Sequence, residues 1–382
     1  IYKMSDLQQR VLYHSIQPTS IQQTYTQNSQ VDFSISVGEG RSLVPNSVRI
    51  CGDMRVLSDI NDSTSRSTGK RTINGNCGAH CFIDGINVNF SSVGNIENFT
   101  SGYARYVNMD AVASMNELDM LNSINQCELR GTTQAYTTDL CQGIESTLGT
   151  GTQLKVDADF SIKPLCCLNK MSTDNNGLPM AKSGIVRLQL SLARNADAIF
   201  GQAQDVNTGY ELYNLHCTFK SVADNNANEQ ITMGIVNSFK SNLLSGSATI
   251  TTNADAVADS VSMNFIPNKH ESVNVFDSYK LENIKGLTEI EYIFNSQTNS
   301  LITFPISDRT EMLERFIDSM QNTSHNQVSI DKYVANSSFC LGIPFDEPID
   351  LRSNRFTFQC QSDVDQNDPV NCFMYFHSRR AL

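Results

Sequence analysis

Tryptophan is absent, and only 18% of the 382 residues are charged. The first absence weakens any reading as a sugar-binding module, because such modules lean on large aromatic faces. The second argues against a coiled coil, charge-driven disorder and stability built on ion-pair networks. No apolar stretch approaches the ~18–20 residues that cross a bilayer. Ile1 to Arg10 hold no apolar segment of signal-peptide type. Gly-x-Ser-x-Gly, phosphate-cradling Gly-Lys-Ser/Thr and His-Glu-x-x-His patterns are all missing. Basic residues are outnumbered 28 to 40, giving a formal net charge of −12. A protein that grips phosphates over a large surface is usually basic. The eleven cysteines are odd in number and scattered. They read as reduced thiols acting mostly as small hydrophobes, in a chain made and assembled in the cytosol.

What is present is a 40% apolar fraction and a large stock of neutral polar residues. At 42.4 kDa there is material for two or three domains. The apolar residues recur with a period of two. Val31, Phe33, Ile35 and Val37 alternate with Asp32, Ser34 and Ser36. Val48, Ile50, Met54 and Val56 do the same, with Gly52 on the apolar phase as the mark of a bulge. Further alternating runs are Ile86–Phe90, Leu154–Ile162, Val186–Leu192 and Tyr213–Phe219. Later ones are Val261–Phe265, Ile290–Phe294, Leu301–Ile306, Phe356–Cys360 and Cys372–His377. This is the pattern of antiparallel sheets with one face packed and one wet. Two helical patterns interrupt it. One lies within 104–127, on Val107, Ala111, Met115 (or Ser114), Leu118 and Leu121. The other follows Asp308 and Glu311, spaced as a capping box, with Met312, Leu313, Phe316, Ile317 and Met320 as its stripe. Long polar loops are expected at 59–80, 130–152, 169–183 and 222–230. The fold class is therefore mostly β, of jelly-roll or Greek-key sandwich type.

No residue is assigned a catalytic, cofactor-binding or metal-binding role. Cys77-Gly78-Ala79-His80-Cys81 is the most metal-like cluster, but a second Cys/His pair is not evident, and an ordinary loop is the expectation. His216 and Cys217 are adjacent, so on a strand they point to opposite faces and cannot form a nucleophile pair. Asp363-Val364-Asp365-Gln366-Asn367-Asp368 lacks the glycine and distal glutamate of a calcium loop and reads as a polar hairpin. Arg379-Arg380 is a solvated tail or a contact to an acidic neighbour or nucleic acid.

Several stretches resemble a known family as wholes. Arg41-Ser42-Leu43-Val44-Pro45-Asn46-Ser47-Val48 is similar to a segment near the start of the penton (minor capsid) proteins of virophages and Maverick/polinton-type viruses, the Sputnik-like virophage pentons above all. Phe160–Pro164 through Cys167-Leu168-Asn169, Ile185–Gly201 and Tyr210–Phe219 continue the likeness. Pro348–Phe356 and Cys372–Leu382 resemble the family's terminal strands. The likeness runs unevenly from about residue 30 to the end.

The resemblance implies a non-enzymatic jelly-roll subunit, without cofactors, that forms homopentamers at the vertices of an icosahedral double-stranded DNA virus. Its partners would be itself, neighbouring major capsid protein capsomers and packaged double-stranded DNA at the inner face. Its location would be the virion, after assembly in host cytoplasm. The matching division of the chain is a polar arm at 1–30, ordered by a partner, and a jelly roll at 31–225. A second β-rich domain follows at 226–345, inserted or tandem, and terminal strands at 346–382 return to the first jelly roll. The alternative is a double jelly-roll major capsid protein forming trimers of hexagonal outline. A carbohydrate-binding sandwich is the distant third.

Overall fold

The computed structural model describes residues 11–57, 71–116, 118–119, 122, 127–130, 158–172, 177–201, 209–223, 230–244, 247–251, 257–295, 301–320, 330, 333, 338–352, 355–364 and 367–382. The strands of the first half are β1 (Leu12–Ile16), β2 (Gln30–Ile35), β3 (Arg41–Leu43), β4 (Arg49–Leu57), β5 (Arg71–Thr72), β6 (Ile83–Phe90), β7 (Gly94–Phe99), β8 (Ala158–Ile162), β9 (Leu178–Pro179), β10 (Val186–Leu192), β11 (Phe200–Gly201) and β12 (Gly209–Ala223). Those of the second half are β13 (Thr232–Leu243), β14 (Ser247–Thr251), β15 (Val257–Pro267), β16 (Glu289–Asn295), β17 (Leu301–Ile306), β18 (Leu341–Asp350), β19 (Arg355–Gln361) and β20 (Val370–Ala381). Two long helices stand among them, α1 (Tyr103–Ser114) and α2 (Arg309–Ser319).

The strands make two sandwiches that share one sheet. An eight-stranded sheet runs β18-β15-β20-β13-β7-β6-β10-β2. Its β7-β6-β10-β2 half belongs to the first sandwich, whose other wall holds β1, β12, β3, β4, β8 and β9. Its β18-β15-β20-β13 half belongs to the second, opposite the sheet β14-β19-β16-β17. β3 and β4 act as one interrupted strand, because their register descends continuously along β12, from Arg41↔Ala223 to Leu57↔Gly209. The alternation sets the registers. Leu188 lies level with both Phe33 and Val88, and Leu190 with both Val31 and Ile86, so a one-residue slip would turn these rows out of the core. In the second sandwich the facing rows meet as aromatic pairs, Phe356 with Phe376 at 5.4 Å and Phe265 with Phe358 at 5.5 Å.

The structure corrects several sequence expectations. Residues 346–382 do not return to the first sandwich: β18 pairs with β15, β19 with β14 and β16, and β20 with β13 and β15. Of the polar loop expected at 222–230, Val222 and Ala223 are instead the end of β12. The described part of the 1–30 segment is ordered by this chain itself. β1 pairs with β12, Tyr25 is buried and bridges to Leu212, and Thr19 N donates to Asp32 O. The segment 363–368 is no hairpin, since β19 and β20 lie in different sheets.

The bulge sits opposite Gly52 rather than on it. Asp53 pairs with Tyr213 and Cys51 with His216, so β12 spends two residues, Asn214 and Leu215, against one. Asn214 takes φ +52°. A Cβ on Gly52 would lie 2.6 Å from Leu215 Cδ2. The extra residue flips the phase of β12: Tyr210 and Leu212 face in before it, Leu215, Cys217 and Phe219 after it. Tyr213, expected inside, is therefore only half-buried.

The expectation of a wet outer face also fails for the central strands. Residues Ser260–Ile266 of β15 and Val370–Ser378 of β20 are buried on both faces. The polar face of β15 and β20 is covered by α1, at Asn264, Tyr375 and His377, and by the end of α2, where Ser260 Oγ donates to Ser319 O at 2.6 Å; α1 is itself buried almost all round. Its sequence stripe was expected within 104–127; the helix ends at Ser114, where Met115 turns extended, and Leu121 lies outside the described residues. Gly102 starts it with φ +76°, and a Cβ there would come 2.5 Å from the Phe373 ring. α2 is capped as its sequence predicts: Asp308 Oδ1 accepts from Thr310 N and Glu311 N at 2.7 and 3.0 Å. Of its stripe, Met312, Leu313, Phe316 and Met320 are buried and Ile317 is half-buried.

Candidate functional site

The distinctive place in this molecule is the seam where the two sandwiches meet. Within the shared sheet the ladder contributes little, a parallel pair between Phe99 of β7 and Ser238 of β13. Beside it the segment after β8 bridges to β13 through backbone, Met171 opposite Met233, with Ser172 N donating to Thr232 O at 3.0 Å and Gly234 N to Lys170 O at 2.9 Å. Side chains add to these. Thr100 N donates to Ser238 Oγ at 3.0 Å, Thr100 Oγ1 donates to Ser238 O at 3.1 Å, and Ser238 Oγ donates to Ser101 O at 3.0 Å. Asn98 N donates to Asn237 Oδ1 at 3.3 Å.

Glu97 is the centre of this stitching. It is wholly buried, and its carboxyl accepts from Cys167 N at 2.6 Å and Val236 N at 2.8 Å, one amide from each half. Burial pushes its pKa up to about 7, against the lowering effect of those amides and of Lys170. Arg105 of α1 crosses the same seam. Its guanidinium donates to Asn264 Oδ1 at 2.8 Å, to Phe265 O at 2.8 Å, to Lys280 O at 3.1 Å and to Ser278 O. The buried cation is thus satisfied by carbonyl oxygens and by the Phe373 ring, 4.9 Å away. Tyr375 donates to Gly102 O at 2.8 Å, and His377 Nε2 lies 2.8 Å from Ser262 Oγ. Burial, then the nearby Lys170 ammonium, lowers the His377 pKa to about 3, so this ring is neutral.

The residues singled out in the sequence go to different places. Cys77, His80 and Cys81 form a buried turn, not an ordinary polar loop. Cys77 Sγ donates to Ala104 O at 3.1 Å, and His80 Nδ1 lies 3.0 Å from Tyr103 Oη. Beside them Glu128 lies 3.2 Å from Arg130 Nε and accepts from Lys163 N at 2.9 Å. This is a polar core cluster under α1; among the described residues no group of three metal-ligating side chains is assembled. His216 and Cys217 do point apart, Cys217 buried and His216 half-exposed. Asp363 and Asp368 are separate: Asp363 N donates to Lys285 O, and Asp368 meets Lys269 at 2.6 Å. Arg379 and Arg380 are not a loose tail but the end of β20, where Arg379 lies 3.5 Å from Asp259.

Sequence reasoning missed Glu97, Arg105 and Lys170. Arg105 is a charged residue between Tyr103-Ala104 and Tyr106-Val107, and that is the signal by which it could have been found; Glu97 lies among Asn95, Asn98 and Thr100, where nothing local marks its burial.

No protein-family profile matches the chain, and no curated protein matches it by sequence. Solved structures do match in fold. The Faustovirus major capsid protein aligns with a TM-score of 0.60 at 7% identity, over 98% of this chain and 90% of that one. PBCV-1 VP54, as fitted into a reconstruction of the virophage Sputnik, gives 0.57 at 11% identity, over 98% and 95%. The mavirus major capsid protein gives 0.50 at 10% identity, over 96% and 86%. The chain has the jelly-roll fold of viral capsid proteins, in the two-sandwich form and along nearly its whole length.

Proposed function

We propose that this chain is a structural capsid protein of an icosahedral DNA virus, a double jelly-roll subunit of the major-capsid type that assembles with copies of itself into trimers of hexagonal outline. The observation that carries this reading is the pair of sandwiches sharing one eight-stranded sheet, with residues 346–382 completing the second sandwich. A subunit of this kind presents two similar walls side by side, so three copies offer six lateral faces to neighbouring capsomers. The virion is its place, and no catalytic role is proposed.

The second reading, a pentameric vertex protein, draws on the stretches Arg41–Val48, Ile185–Gly201 and Cys372–Leu382. Mass separates the two. A trimer of this chain weighs about 127 kDa and a pentamer about 212 kDa, three and five times 42.4 kDa. Native mass spectrometry or light scattering on the purified protein is expected to give the trimer. A pentamer would return the reading to the vertex, and a monomer absent from virions would remove the capsid reading altogether.

A further inference from the structure

Lys240, Glu271 and Asn371 meet where β13 and β20 run side by side. The two strands pair without a shift from Thr232↔Ala381 to Leu243↔Val370, so Lys240, level with Phe373, and Asn242, level with Asn371, stand on one face. Lys240 and Asn371 are therefore diagonal neighbours, roughly 7 Å apart at Cβ, a gap that a lysine stem spans. The Phe373 ring lies 5.2 Å from Nζ and guides the stem. Glu271, in the segment after β15, closes over the pair. Its Oε1 and Oε2 accept from Lys240 Nζ at 2.7 and 2.8 Å, and the same Oε2 accepts from Asn371 Nδ2. Asn268 Oδ1 accepts from Asn371 Nδ2 at 3.1 Å and holds the carboxamide in place. Asn371 is 2% exposed, so its carboxamide is shielded from water, whereas Lys240 is open to solvent on one side.

One carboxylate oxygen thus touches both an amine nitrogen and an amide nitrogen, which is more than an ion pair needs. We propose that this is a modification site, where an isopeptide bond forms between Lys240 Nζ and Asn371 Cγ with Glu271 as the proton carrier. Glu271 takes a proton from the ammonium, within the reach of a general base. The freed amine attacks Cγ and an N–C bond forms. Nζ gives up two protons in all. Both pass by way of Glu271 to Nδ2, the Cγ–Nδ2 bond breaks, and the nitrogen leaves as ammonium through the open side. Glu271 ends as the carboxylate, and no oxidant or co-reactant is consumed. Amine and carboxamide held one oxygen apart react as an intramolecular pair, for which effective molarities of about 10⁵ M are reached when the groups are well oriented. The bond locks β20 to β13, the strand beside the seam, and closes a loop from 240 to 371 that unfolding cannot open. It lies within one chain, so it does not depend on trimer or pentamer.

The test is intact-mass spectrometry of the purified full chain under denaturing conditions, followed by tryptic mapping. The parent is expected to weigh one ammonia less than its sequence mass. Its digest should hold a branched peptide in which 221–269, uncut at Lys240, is joined to 356–379. Lys240→Arg keeps the positive charge beside Glu271 but removes the nucleophile, so it should show the full mass and no branched peptide. Glu271→Gln keeps the shape of the proton carrier and should also leave the two segments separate, with its folding checked by circular dichroism. The branched peptide distinguishes the cross-link from loss of ammonia at a single asparagine, which Lys240→Arg would not prevent. A parent of full mass that yields two linear peptides would make the triad an ordinary ion pair and overturn the proposal, as would a branched peptide that persists in Glu271→Gln.

Discussion

Glu97 and His377 flank the same seam and titrate in opposite senses. Glu97 has a folded pKa near 7, above its unfolded value, so the stability tied to its protonated form is present below about pH 4.5 and is lost as pH rises through 7. His377 has a folded pKa near 3, below its unfolded value, so the stability tied to its neutral form is present above about pH 6.5 and is lost as pH falls towards 3. Between about pH 4.5 and 6.5 the two slopes cancel, each worth about 1.4 kcal/mol per pH unit. Removing one should therefore expose the other. The stability of Glu97→Gln relative to the parent should rise with pH across that window, and that of His377→Gln should fall. Chemical denaturation at pH 5, 6 and 7 measures both; parallel curves for parent and variants would show that neither group titrates as its burial requires. Neither residue was legible beforehand, because a period-two pattern assigns every polar alternate to solvent. His377 lies on the face of β20 that α1 covers, and nothing in Cys372–His377 says that a helix lies over it.

At the scale of elements, the alternating strands were legible and their termini and partners less so. Val186–Leu192 pairs on both sides with strands also read from alternation, because burial of one face dictates register as well as existence. Tyr213–Phe219 went half wrong, since one extra residue in β12 reverses phase and alternation carries no signal for it. α2 was found with its cap because Asp308 and the stripe behind it are local features. β1 was missed because its partner, β12, is two hundred residues away and its own face is largely exposed. That error reverses an expectation. A polar arm could be deleted without harm to the subunit, but residues 11–30 give β12 its edge, stack His14 on Phe219 at 4.8 Å and bury Tyr25 against Leu212. Deletion of 1–30 should destabilise the protein, and Tyr25→Ala alone should cost about 3–5 kcal/mol, the range for truncating a large buried aromatic. A deletion variant that melts with the parent would mean that β1 contributes nothing to the fold.

The whole molecule behaves as one body only if the seam is strong, and its chemistry is unusual for that task. One backbone pair joins the halves of the shared sheet and a short bridge ties residues 170–172 to β13, while Glu97, Arg105, Ser238 and α1 add buried polar contacts. A chain of 382 residues is long enough that two sandwiches would ordinarily unfold one after the other. Here each half leaves the other with buried polar groups it cannot satisfy alone. Without the first sandwich, Val236 N loses the Glu97 carboxyl and Asn264 loses Arg105. Without the second, Arg105 keeps a buried charge and no carbonyl from 265, 278 or 280 to meet it. The cost of unfolding one half is thus charged to the other, and calorimetry should show a single transition whose van't Hoff and calorimetric enthalpies agree. Arg105→Met removes the charge and its contacts to the second half together while keeping much of the side-chain bulk. It should lower the transition and split it in two, whereas a surface control such as Arg187→Met should leave one peak. Two separate peaks in the parent protein would show that the sandwiches are coupled by little more than the chain between them.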